Sequence, residues 1–139
     1  MYYPYFRGKQ YELISIRESV SIITDSEFVP IIEPVKVEMK DPLGSVRKTL
    51  TALEEGNARA IVIVNPFHGD FSEDSESISN LLMEFTHYPL ISVGILLKET
   101  TTIDQVLAYC KNHPKQFKAL IHAGFSEGKQ LVLNCISSQ

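Results

Sequence analysis

Four short apolar runs recur along the chain at a near-constant interval, and no other feature constrains the fold as much. They lie at Phe28 to Val37, Ala60 to Val64, Leu90 to Leu97 and Phe117 to Ala123. Each is rich in Ile, Val or Leu and nearly continuous where most apolar, as in Ile31-Ile32 and Ile61-Val62-Ile63-Val64. Such continuity marks strands covered on both faces of a parallel sheet, whereas half-wet antiparallel strands alternate apolar with polar residues. With a short extended segment at Tyr2 to Tyr5 counted first, the second, third and fourth strands begin about 31 residues apart, near positions 29, 60 and 91. That interval is the length of a βα unit.

The intervening segments have helical periodicity with matching end signals. Lys9 to Val20 carries Leu13, Ile14, Ile16 and Val20. Asp41 can cap a helix with Pro42 in its first turn, Leu43, Val46, Leu50 and Leu53 on one face, and Gly56 as the stop. Ile78, Leu81, Leu82 and Phe85 form the next stripe, closed by Pro89. Thr102 and Gln105 have capping-box spacing before Ile103, Val106, Leu107 and Cys110, and Pro114 ends that helix. The tail from Lys129 to Ile136 fits strand or helix equally. The predicted order is β-α-β-α-β-α-β-α-β, an α/β fold with a predominantly parallel sheet. Two architectures share this alternation, an open doubly wound sheet and part of a closed (β/α)8 barrel, and periodicity does not choose between them. A whole barrel takes about 250 residues, so the 139 residues here supply about half of one.

Composition narrows the class. With 44% hydrophobic and 22% charged residues the chain is an ordinary globular sequence, of a length for one domain over residues 1–139. Its net charge of −4 argues against a broad basic surface for nucleic acid or anionic lipid. Cys110 and Cys135 have no CxxC spacing and read as buried, reduced thiols. No apolar run approaches the roughly 18 residues of a membrane span, and Met1 to Arg7 lacks the pattern of a signal peptide. The expected compartment is the cytoplasm, with no membrane partner.

Ligands of parallel α/β folds collect at the carboxyl ends of the strands. The polar residues expected there are Glu33 and Lys36 after Ile31-Ile32, Asn65 after Val64, Lys98 and Glu99 after the third apolar run, and His122 near the end of the fourth. A carboxylate, an amide, an imidazole and an amine on one rim suit acid–base chemistry or a polar ligand. Satisfied strand-end residues are the plainer alternative. Tyr2, Tyr3, Tyr5, Phe6 and Tyr11 surround Arg7-Gly8-Lys9-Gln10, a basic stretch at the mouth of the first helix that suits a phosphate or carboxylate. Aromatic packing with solvated cations accounts for it as well. The loop Asn65-Pro66-Phe67-His68-Gly69-Asp70 adds Asp70 to the candidate ligand residues, but His68, Asp70 and Glu73 meet no recognised metal-ligand spacing, so no metal site is expected. His87 and His113 sit beside prolines at helix ends, where capping is their expected role. Gly-x-Ser-x-Gly is absent, and neither Cys lies in a nucleophile motif.

Two motifs in succession carry a family resemblance. Tyr3-Pro4-Tyr5-Phe6-Arg7-Gly8-Lys9-Gln10-Tyr11-Glu12-Leu13 and then Val29-Pro30-Ile31-Ile32-Glu33-Pro34-Val35-Lys36 resemble the opening of an uncharacterised bacterial family related to the phage "beta protein" family. Asn65-Pro66 with Gly69-Asp70, and Ile121-His122-Ala123-Gly124, are similar to that family's next strand ends, so the resemblance spans essentially the whole chain. It implies a barrel-like fold in bacteria and phages, often encoded beside nuclease, mobile-element or defence genes, and no known reaction or cofactor. Family chains are about twice as long, with further acidic and aromatic motifs in a C-terminal half that has no counterpart here.

The expectation is therefore the N-terminal half of an incomplete (β/α)8 barrel, with the doubly wound sheet as alternative. The expected function is binding of a polar or phosphorylated ligand, an anionic small molecule or nucleotide, by a defence- or mobile-element-associated component. Glu33 and His122 would be its catalytic candidates, and Arg7, Lys9, Gln10, Lys36, Asn65 and Asp70 its ligand-binding candidates. The alternative is a non-enzymatic interaction module that completes its fold by homo-oligomerisation or by pairing with a separate C-terminal half, because an incomplete barrel leaves strand edges unpaired.

Overall fold

Each apolar run forms a strand, and a short strand precedes them. The computed structural model describes residues 2–35, 41, 43–66 and 74–123. Its elements in order are β1 (Tyr5–Arg7), α1 (Gln10–Glu18), α2 (Val20–Asp25), β2 (Ile31–Glu33), α3 (Gly44–Glu55), β3 (Ala60–Ile63), α4 (Ser75–Met83), β4 (Ile91–Lys98), α5 (Ile103–Asn112) and β5 (Lys118–Ala123). The strands form one sheet in the order β1-β2-β3-β4-β5, every neighbouring pair parallel.

That order settles the winding. A doubly wound sheet reverses its strand order at a switch point, which puts helices on both faces. The sequential order here has no reversal, and successive right-handed crossovers then place their helices on one face, as in a barrel wall. Side-chain packing agrees. Leu13, Ile16, Leu50, Leu53, Ile78, Leu81 and Val106 of the helices share one core with Ile32, Val62, Val93 and Ile95 of the strands. The alternate strand residues Ile31, Ile61, Ile63 and Leu96 pack with Val29, Ala119 and Ile121 in a second cluster that contains no helical residue among those described. Apolar residues therefore face both ways along each strand, which accounts for runs without alternation.

Local chemistry sets most element ends. Thr102 and Gln105 close the expected capping box: Gln105 N–H donates to Thr102 Oγ1 at 3.2 Å and Thr102 N–H to Gln105 Oε1 at 2.9 Å. Asp74 caps α4 by accepting from Ser77 N–H at 3.3 Å. In α3 the first residue is Gly44, with Leu43 at the N-cap; Asp41 accepts from Leu43 N–H at 3.4 Å and pairs with Arg47, so it braces the start without being the cap. Pro42 lies outside the described residues, as does the ambiguous tail.

The expected helix from Lys9 to Val20 forms as α1, and a second helix, α2, which the sequence reading did not include, follows it. The chain leaves helical geometry at Ser19 (φ −110°, ψ 14°) and re-enters at Val20. The second helix is tied to a distant glycine. The Thr24 hydroxyl shares its one hydrogen between Val20 O at 2.9 Å and Gly56 O at 3.0 Å, tying α2 to the end of α3, and a Cβ on Gly56 would run into Val20 Cγ1. Gly56 does end α3, but at an ordinary φ of −92°; the left-handed residue is Asn57, at φ 55°. Close approach to Val20, and not backbone freedom, requires glycine at position 56.

His113 follows α5 as its C-cap residue, and its ring does more than end a helix. It is buried, with Nδ1 2.8 Å from Gln116 Oε1 and Nε2 3.1 Å from Ser79 Oγ. Gln116 Nε2 donates to Leu82 O at 2.8 Å, so Gln116 presents its oxygen to the ring. Nδ1 must then carry the proton and Nε2 accept from Ser79. Burial pushes the pKa of this imidazole below its usual 6.5. The unfolded chain therefore takes up the proton first as pH falls: the contribution is complete above about pH 6.5 and is lost as pH drops towards the folded value. Urea midpoints measured from about pH 7 down to about pH 5.5 should fall in the wild type and fall less in His113→Gln; parallel profiles would rule the linkage out.

Candidate functional site

Register decides which rim residues meet. Residues paired across parallel strands project to the same face, and Tyr5 pairs with Ile31, Phe6 with Ile32 and Arg7 with Glu33. Phe6 and Ile32 belong to the helix-side core. Tyr5, Arg7 and Glu33 therefore project from the helix-free face, with Glu33 at the carboxyl end of β2 only 1% exposed.

The Tyr5 hydroxyl is hydrogen-bonded to the Glu33 carboxylate. Burial, then the Glu33 charge and this hydrogen bond, hold the phenol well above its usual pKa, with Arg7 opposing them. Tyr5 thus remains a donor at any physiological pH. Gly8 N–H donates to the Glu33 carbonyl at 2.6 Å. A Cβ on Gly8 would lie 3.1 Å from that oxygen and 3.3 Å from Pro34 Cα, so the chain turns off β1 hard against β2. The turn delivers Lys9 to the N-cap of α1 in extended geometry (φ −77°, ψ 155°), with Arg7, Lys9 and Gln10 all exposed. The basic stretch thus sits at the mouth of the first helix, beside a buried carboxylate.

Asn65 is 6% exposed, and both ends of its amide are engaged: Nδ2 donates to Leu96 O at 2.9 Å, and Leu96 N–H donates to Oδ1 at 2.8 Å. Its side chain continues the β3–β4 ladder past the point where the β3 backbone leaves it. His122 pairs with Leu97, whose side chain lies in the helix-side core. His122 therefore projects from the face opposite Glu33, and the structure does not bring the two catalytic candidates together. Lys36 and Asp70 lie outside the described residues.

Two features of this rim escape sequence reading. Tyr5 looks like sheet packing until its register with Ile31 is known, although its i, i+2 spacing to Arg7 is the signal that the two share a face. A cavity of about 360 Å³ also opens at the carboxyl ends of β3 and β4, lined by Asn65, Ser75, Lys98, Thr101, Gln105 and Tyr109 among others. Among the described residues no three His, Cys, Asp or Glu side chains group as metal ligands, and no helix is long and apolar enough to cross a membrane.

Fold and rim together define a singly wound, all-parallel α/β chain with a polar carboxyl rim. No family model, curated protein or solved structure matches it.

Proposed function

We propose that this chain is a bacterial or phage-type component, associated with defence or mobile elements, that binds a polar or phosphorylated small molecule at the carboxyl rim of its sheet. One observation carries the binding reading: a nearly inaccessible carboxylate, Glu33, held by the Tyr5 hydroxyl and in register with the exposed Arg7. A buried carboxylate is retained at a cost in stability unless it is well partnered, and carboxyl groups so placed in a rim are acid–base or ligand-orienting groups. Arg7 and Lys9 supply positive charge, Glu33 the acid–base or hydrogen-bonding group, and Asn65 the rigid rim. His122 is not in this set. The association with defence or mobile elements rests on the order of the Tyr3–Leu13 and Val29–Lys36 motifs. Calorimetry with nucleotides and sugar phosphates is the test. Arg7→Ala and Glu33→Gln should each weaken binding about tenfold, or about 1.4 kcal/mol; no binding, or binding indifferent to both changes, rejects the reading.

A second reading, association with another copy of the chain, is favoured by the sheet's outer strands. Beside β1 lies an apolar groove of about 300 Å³ lined by Tyr2, Phe6, Ile16, Ile22 and Phe28 among others. At β5, Leu120 is 47% exposed and Phe117, just before it, 70%. Light scattering that shows a monomer at high concentration rejects it.

A further inference from the structure

Ligands of parallel folds usually sit at the carboxyl ends of the strands. On this sheet a cavity of about 510 Å³ opens at the amino ends instead, larger than the one of about 360 Å³ beside Asn65. The connections that reach this end, residues 26–30, 56–59, 84–90 and 113–117, are described without a gap.

Register places the lining. Ile61 pairs with Ile31 on one side and Ser92 on the other, and both isoleucines belong to the helix-free cluster with Val29 and Ala119. Strand alternation sets Arg59, two residues before Ile61, and Phe117, two before Ala119, on that same face. The floor is thus a stretch of sheet surface made of Val29, Ile61, Ser92 and Ala119. Extending the β3–β4 and β4–β5 register brings Phe117 alongside Ser92 and leaves Arg59 one row nearer the strand starts, diagonal to the Ser92 hydroxyl.

Arg59 is exposed and is the only charged residue in this lining. Among the described residues no carboxylate pairs with its guanidinium, and nothing takes the Ser92 hydroxyl. Glu27 borders a smaller cavity that Arg59 also lines, with no ion pair between the two. A planar fork of donors with a hydroxyl beside it suits a carboxylate, which it can hold bidentately. A flat apolar floor with an exposed ring at its far side suits a planar aromatic body. A sugar would waste the apolar floor, and a wholly apolar ligand would take water from the guanidinium and return no partner. We propose that this cavity is a binding site for a small aromatic carboxylate, its carboxylate held by Arg59 and Ser92 and its ring lying on Ile61 and Ala119 against Phe117. The site shares no residue with the one built on Arg7 and Glu33 and lies at the other end of the sheet.

The probe is 2-naphthoate, with 2-naphthylmethanol as its uncharged counterpart, read by calorimetry and by amide shifts in proton–nitrogen spectra of the full chain. The acid should bind one molecule per chain and shift the amides of residues 59–61, 91–93 and 117–119, and the alcohol should bind far more weakly. Arg59→Gln should weaken binding about tenfold or more with the spectrum otherwise native. Arg59→Lys should keep part of it, because the charge remains without the fork, and Arg7→Ala should leave it unchanged. No binding, equal affinity for the alcohol, or undiminished binding by a folded Arg59→Gln overturns the proposal. So do shifts confined to residues 7–10 with loss in Arg7→Ala, a result that would leave the Arg7–Glu33 reading standing.

Discussion

Replacing Asn65 with alanine should destabilise the fold by about 2–4 kcal/mol, an effect of the size expected when two buried hydrogen bonds are lost and a backbone N–H is left without a partner. The two bonds are those to Leu96, at 2.9 and 2.8 Å. Leu96 O keeps the Thr101 hydroxyl at 3.3 Å, so most of the cost falls on its N–H. Asn65→Asp restores the acceptor but opposes a carboxylate to the Leu96 carbonyl, and should rescue little. Urea unfolding of both variants is the measurement. Wild-type stability in Asn65→Ala would mean that the amide does not hold the ladder, and would return it to the ligand-orienting role expected from its place after β3.

Gly94→Val should cost about 3 kcal/mol, at the upper end of what overpacking a filled interior costs. Gly94 lies on the helix-free face of β4, where a Cβ would stand 2.7 Å from Ile61 Cγ2, 2.9 Å from Ile63 Cδ1 and 3.4 Å from Val62 O. The Ile63 terminus can swing aside, so Gly94→Ala should cost less. If steric conflict is the cause, Ile61→Ala, which removes Cγ2, should recover part of the loss in the Gly94→Val background although it destabilises the wild type, a coupling that a double-mutant cycle reads directly. Additive effects would show that the face has room to spare.

Those two positions mark where sequence reading ends. The strands are legible because Ile61-Val62-Ile63-Val64 and its counterparts are too apolar and too short for much else, and the capping box at Thr102 and Gln105 is legible because its partners are three residues apart. Facing is not legible in a continuous apolar run. Leu96 and Leu97 look alike in sequence but belong to different cores, and only register with β5 shows that His122 follows Leu97 away from Glu33. Asn65 is recognisable as a strand-end amide, yet its partner Leu96 is 31 residues further on. The anchoring of α2 likewise depends on a contact across 32 residues, from Thr24 to Gly56. What was hidden was non-local pairing, and the site inherits that: the residue types at the rim could be read off, but not their grouping into one set on β1 and β2 and another on β3 and β4.

The sequential strand order also has a kinetic meaning. Every strand pairs with its immediate predecessor, at separations from 25 residues (Val93 to Lys118) to 31 (Ala60 to Ile91). No strand has to wait for a partner made much later. Each βα unit can dock on the one before it as the chain leaves the ribosome, in the nearest-neighbour manner of repeat proteins, and the growing sheet presents only its newest edge to the surroundings. Unfolding started at β5 should then peel the sheet unit by unit, with hydrogen exchange of the β5 amides outpacing that of the β3 amides at the centre.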